Sequence, residues 1–340
     1  MWFVYLSDYR RLSIIADSFR EPSQLAAIEK GACQTLFSFI DTADFSGDLD
    51  YFLRVLEMLL THDAGKAVAP DSALETLLGH LETGQESLDT ALSLISIIIS
   101  LLTTHRFQAF VLKGDGLFSR ILDAIEKTYE LPVDPENEAK DKSLAAYARN
   151  QLTEMVGDIA TEPDFLDSHP LGGEAMKRVH GWLEIKPGRE ELAVAACMVF
   201  GNVGRSDEAC AKLVQTGLHL LLFKVVEETV ARFEESVKRA REPKAETESE
   251  MKNQSPGAVS VAVIYAAAGV LKNLAISSQN KKALVDGGSF RAIRRMLTME
   301  GVGVAQLWYS AVSLGRLTII NTCEPLTPLL LLSHKLISPS

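Results

Sequence analysis

The chain has 340 residues, 47% of them hydrophobic and 23% charged, which are globular values and exclude wholesale disorder. A net charge of -11 leaves too little Lys and Arg to neutralise phosphates, so nucleic acid is not an expected partner. Four scattered cysteines without a CxxC pair exclude a disulfide framework and a Cys-rich zinc site, and fit a reducing compartment.

The chain starts MWFVYLSDYRR, without a basic stretch followed by an apolar run, so no signal peptide is expected. Ala26–Ala32 has a short-helix pattern running to Gly31, and Phe110–Gly116 repeats it through Gly114 and Gly116. Those glycines lie two periods apart, with Val68-Ala69-Pro70-Asp71 as the weak copy between them. Ala91–Leu102 is apolar but broken by serines. At about 1.5 Å per residue it is too short for a hydrocarbon core about 30 Å thick, which predicts a buried helix and no transmembrane segment. Between Glu130 and Glu174 eleven acidic residues face three basic ones, most of the chain's net charge. Asp134–Asp141 reads as a solvated loop, whereas Glu154 and Asp158 lie one turn apart on one helix face.

Next comes the pattern that sets the architecture. Ala195–Val203 (AACMVFGNV), a polar break and Ala211–Gly217 (AKLVQTG) return 71 positions later as Ala266–Leu274 (AAAGVLKNL) and Lys282–Gly288 (KALVDGG). Each copy predicts a helix of small residues ending near an Asn, then a turn and a short helix stopped by Gly. Further apolar helices follow over Leu218–Ala231 and Phe290–Met299. Between the copies, 238–257 (KRAREPKAETESEMKNQSPG) is almost free of aliphatic residues and reads as a disordered charged insertion. Without it the period falls in the forties. Asp158 precedes Asn202 by 44 residues, and Arg316, on the helix that carries Trp308, follows Asn273 by 43. The tail 326–340 does not continue the pattern.

Repeats of this length predict an all-α, armadillo-repeat, right-handed superhelical solenoid. It would run through 1–340 as a single array of about six to seven three-helix repeats. No sustained period-two alternation is present, so no sheet is expected. No metal-binding, P-loop, nucleophile-elbow or dinucleotide motif stands in a suitable context, and the seven histidines contain no i, i+4 pair. Catalytic chemistry, cofactors and metals are therefore not expected; Cys197 and Cys210 read as small helix fillers, and His180 and His219 as packing residues.

Function then rests on a surface. In such a repeat the third helix lines the concave side, placing Asp158, Asn202, Asn273 and Arg316 in one ladder, with Ser100 one unit earlier and Trp308 nearby. An Asn offers both donor and acceptor to a partner's backbone, although each could equally cap its own helix end. Glu154 and Asp158 would focus negative potential that steers a basic peptide tail.

Ala175–Thr318 resembles the C-terminal half of the SmgGDS family of armadillo-repeat GDP-dissociation stimulators. The residues carrying the likeness are Val179-His180-Gly181-Trp182-Leu183, Ala195–Asp207 with Cys210, Leu213-Val214, Ala268–Ile276 and the Ser277–Gly288 turn, preceded by the acidic stretch before Leu152–Val156. The resemblance implies a cytosolic chaperone and guanine-nucleotide exchange factor for small GTPases of the Rho, Rap and Ras type with a polybasic, prenylated C-terminus. Asn202 and Asn273 would then contact the GTPase body. The implied protein is monomeric and acts by binding, with no catalysis of its own. A non-catalytic scaffold that joins proteins without stimulating exchange is the alternative, and a nuclear-transport adaptor is disfavoured because its groove would carry Trp with Asn at successive repeats.

Overall fold

Apolar residues recur at helical spacing along most of the chain, and each such stripe is buried in the computed structural model, which describes residues 21–42, 49–83, 87–114, 116–241 and 258–299. All regular structure among the described residues is helical. The chain divides into two compact units, one through Glu162 and the other from Pro163.

The first unit contains nine described helices in three triplets. The first is α1 (Glu21–Glu29), α2 (Ala32–Thr42) and α3 (Leu49–Leu59). The second is α4 (Asp63–Val68), α5 (Ala73–Thr83) and α6 (Leu88–Leu102), and the third is α7 (His105–Lys113), α8 (Leu117–Lys127) and α9 (Glu138–Ile159). Each triplet opens with a helix of at most nine residues. The third helices pack in sequence, α3 against α6 and α6 against α9. Leu53 and Leu56 of α3, Leu94, Ile98 and Leu101 of α6, and Leu152 and Val156 of α9 are sealed from water. Burial of each such side chain contributes about 1.5–3 kcal/mol. Ala91–Leu102 thus lies in a buried helix, capped at its start by Ser87, whose side chain accepts from the Thr90 N–H at 3.2 Å.

In the second unit, α10 (Phe165–Ser168), α11 (Glu174–Gly181) and α12 (Glu190–Val203) form a triplet, followed by α13 (Asp207–Gln215), α14 (Leu218–Arg241) and α15 (Ala258–Leu274). A 3₁₀ turn at Ser278–Asn280 leads into α16 (Lys281–Asp286) and α17 (Ser289–Leu297). Helix α15 packs against α12 and α14, with Ala195, Ala196, Ala267 and Ala268 fully buried. Side chains this small allow close approach of the helix backbones. Gly217 and Gly288 stop α13 and α16 with φ of 80° and 107°, the left-handed conformation that a Cβ disfavours.

Bonds between neighbouring triplets of the first unit span similar sequence distances, from 35 positions for Arg106 and Asp71 to 46 for Lys127 and Leu81. His80 meets the Ile40 carbonyl at 2.8 Å, Ser100 donates to the Leu60 carbonyl at 2.9 Å and Arg106 donates to the Ala67 carbonyl at 3.0 Å, spanning 40, 40 and 39 positions. Across the stretch between α14 and α15 the separations rise to 72 for Asn273 and Gly201 and 64 for Arg291 and Glu227.

Several local expectations change. Of the two glycines before α8, Gly116 takes the left-handed turn conformation, with φ of 77°, and Gly114 is extended, with φ of -82°. In the second triplet a proline does the work of glycine: Ala69, restricted by Pro70, is extended at ψ 136° and ends α4. Helix α14 continues ten residues beyond Ala231, so residues 238–241 of the expected insertion are helical. Val230 and Phe233 carry its buried stripe onward, and Glu235 pairs with Arg239 one turn later. Asp141 lies in the first turn of α9, where its buried carboxylate accepts from the Asp134 N–H at 3.0 Å, so it is no part of a solvated loop. Residues 242–257, Trp308, Arg316 and the tail 326–340 lie outside the described residues.

Candidate functional site

Helix α9 is 22 residues long and buries only one side. Its opposite side carries Leu144, Tyr147, Gln151, Glu154 and Asp158, spaced three or four apart and hence in one stripe. Tyr147 is 66% exposed and Leu144 is 38% exposed. Together with the outward residues of α3 and α6 they border a groove of about 320 Å3 within the first unit. Leu92, Ile95 and Ile99 contribute apolar wall, and Arg54, Glu57 and Asp89 contribute charge. The walls are held in register by polar bonds between α6 and α3: Thr90 donates to Asp50, Ser96 to Glu57 at 2.5 Å, and Ser100 to the Leu60 carbonyl.

Glu154 and Asp158, predicted to share a face, do so and are exposed. Gln151 donates to Glu154 at 3.5 Å, joining the acidic pair to the groove wall. Serine 100 is engaged in the packing of α6 on α3, so its hydroxyl serves the fold.

In the second unit Asn202 and Asn273 come together at the ends of α12 and α15, both half-buried. Arg205 donates to the Asn202 Oδ1 at 2.6 Å. The Asn273 Nδ2 donates to the Gly201 carbonyl at 3.0 Å, bridging α15 to α12, and the Cys210 thiol lies 3.6 Å from the Asn273 carbonyl. Asn273 is therefore a clamp between helices and not a cap on its own helix. An ionised carboxylate has no hydrogen to give to a carbonyl, so the bond that Asn273 makes is closed to Asp158 at the matching place.

The described cysteines are packed away, as are His180 and His219 in part. Burial pushes the Cys33 thiol up to about 11 and the Cys197 thiol up to about 12, and it raises that of Cys210 too, with Asp207 adding a smaller push. A thiol held protonated is a weak nucleophile and a poor metal ligand. His180 lies edge-on to Phe200 at 6.2 Å and His219 edge-on to Phe223 at 6.3 Å, as packing residues do. Among the described residues no group of three or more His, Cys, Asp or Glu is placed to hold a metal, and no single helix is long and apolar enough to cross a membrane.

The groove with Leu144 and Tyr147 was missed by sequence reasoning. Its signal was present in the 144, 147, 151, 154, 158 spacing, which continues the acidic stripe nearly three turns toward the start of α9 and includes two apolar residues that the buried stripe does not use.

No protein-family model matches the chain, and no curated protein matches it. Among solved structures, the crystal structure of an engineered protein is similar over 84% of this chain and 98% of its own, with a TM-score of 0.48 and 15% identity.

Proposed function

We propose that the helical triplets are armadillo repeats of a superhelical solenoid and that the protein is an SmgGDS-type regulator, which binds small GTPases carrying a basic, prenylated C-terminus. The observation that carries this reading is where the resembling strings fall. Ala195–Asp207 occupies α12 and the turn after it, and Ala268–Ile276 closes α15, so the likeness maps onto two packed third helices and the asparagines they bring together.

On this reading the mechanism is differential affinity. The protein grips the nucleotide-free or open form of the GTPase more tightly than the nucleotide-bound form, and exchange accelerates in proportion. The exposed carboxylates of Glu154 and Asp158 draw in the basic tail. Such a protein is cytosolic and works as a monomer.

The test is release of a fluorescent GDP analogue from a purified, prenylated Rho-type GTPase. Acceleration of at least about tenfold, equal to about 1.4 kcal/mol of preference for the open state, is the expected result. Capture of the GTPase without faster release identifies a scaffold, and absence of capture removes GTPases from consideration.

A further inference from the structure

We propose that the groove bordered by α3, α6 and α9 docks a short peptide segment of a partner protein, one in which a large aliphatic or aromatic side chain stands beside Lys or Arg. The proposal deepens the reading of the protein as a binding array; it concerns a surface of the first unit, separate from the asparagine pair of the second.

Three observations select this occupant. The groove combines an aliphatic wall with two large side chains left in water, Tyr147 at 66% and Leu144 at 38% exposure. An aromatic anchor beside a polar rim is the anatomy of an interaction hot spot. Its volume of about 320 Å3 falls at the small end of ligand pockets, which suits one or two inserted side chains and not an extended apolar body. Finally, Glu57 and Asp89 at the groove, followed by Glu154 and Asp158 along the same stripe of α9, are opposed by Arg54. A cationic residue flanking the inserted side chain is the complement. The same charge argues against a second copy as occupant, because this chain carries a net -11 and would bring like charge to the face.

The test is fluorescence anisotropy of the full-length chain with a fluorescein-labelled peptide of sequence Gly-Lys-Lys-Leu-Leu-Lys-Lys-Gly, beside one with Ser for each Leu and one with Glu for each Lys. The wild-type chain is expected to bind the first peptide and neither control. Tyr147→Ala should weaken binding about ten- to thirtyfold while leaving the thermal midpoint unchanged, since the ring is exposed. Asp89→Lys should weaken it more at low salt than at high salt. No binding by the wild-type chain, equal binding of the Ser peptide, or unchanged affinity of Tyr147→Ala overturns the proposal. So does a concentration-dependent dimer that Tyr147→Ala dissolves, which would give the groove to a second copy. GTPase capture measured in parallel separates the two readings. Capture without peptide binding overturns the groove alone, and peptide binding without capture upholds the groove and counts against the GTPase.

Discussion

The Asn273 side chain gives its donor to the Gly201 carbonyl, one residue before Asn202, whose own Oδ1 is taken by Arg205. The two asparagines are equivalent in register and unequal in physical role. Asn273→Ala leaves a main-chain carbonyl between packed helices without its partner and should cost about 1 kcal/mol. Asn202→Ala removes a contact with Arg205, three residues away on the exposed side, and should cost less than the Asn273 change. Urea unfolding of the two single variants checks this, and equal losses would contradict the clamp. The recurrence of Asn was legible in the sequence. Its division of labour was not, because which carbonyl an amide reaches depends on the offset between neighbouring helices, and no string of letters encodes that offset.

Among the elements, α14 shows where pattern reading stops short. The sequence predicts its first fourteen residues, yet the helix continues to Arg241 through Val230, Phe233 and the Glu235–Arg239 pair, since a charged, weakly amphipathic run still propagates once a helix is nucleated. Its other end holds a titratable contact. His219 is 7% exposed, and a Cβ added to Gly287 would stand 3.1 Å from its ring, so the start of α14 is tucked against the turn before α17. Burial lowers the pKa of this imidazole from its usual 6.5, outweighing an opposite pull from the Val214 backbone. The folded chain therefore holds His219 neutral after the unfolded chain has begun to take up a proton. Its contribution to stability is complete above about pH 6.5 and is lost as the pH falls from there toward the depressed folded value. Unfolding midpoints at pH 7 and pH 5 should fall more steeply for the wild-type chain than for His219→Gln. Parallel falls would place the acid sensitivity elsewhere.

For the molecule as a whole, charge is the property that sequence conveyed best, because it requires no packing to read. Eleven of its carboxylates fall between Glu130 and Glu174, and the fold leaves Glu154 and Asp158 exposed on one side of α9 while burying Asp141. Reversing Glu154 and Asp158 together to Lys should slow association with a basic-tailed GTPase by about tenfold at low salt and by much less at 0.5 M salt, where the screening length is shorter than the face itself. Stopped-flow mixing at the two ionic strengths reads this directly. An on-rate that does not respond to the reversal would remove electrostatic steering from the mechanism.

Helices α14 and α15 lie side by side although residues 242–257 separate them in sequence, and the bonds that hold their neighbours in register span 64 and 72 positions where 35 to 46 serve in the first unit. The docking of those helices consequently does not count the intervening residues. Closure entropy grows only as the logarithm of length, with each doubling costing about 0.6 kcal/mol. Lengthening the connection between Arg241 and Ala258 is therefore expected to leave the seating of one helix on the other intact, at a cost of that order.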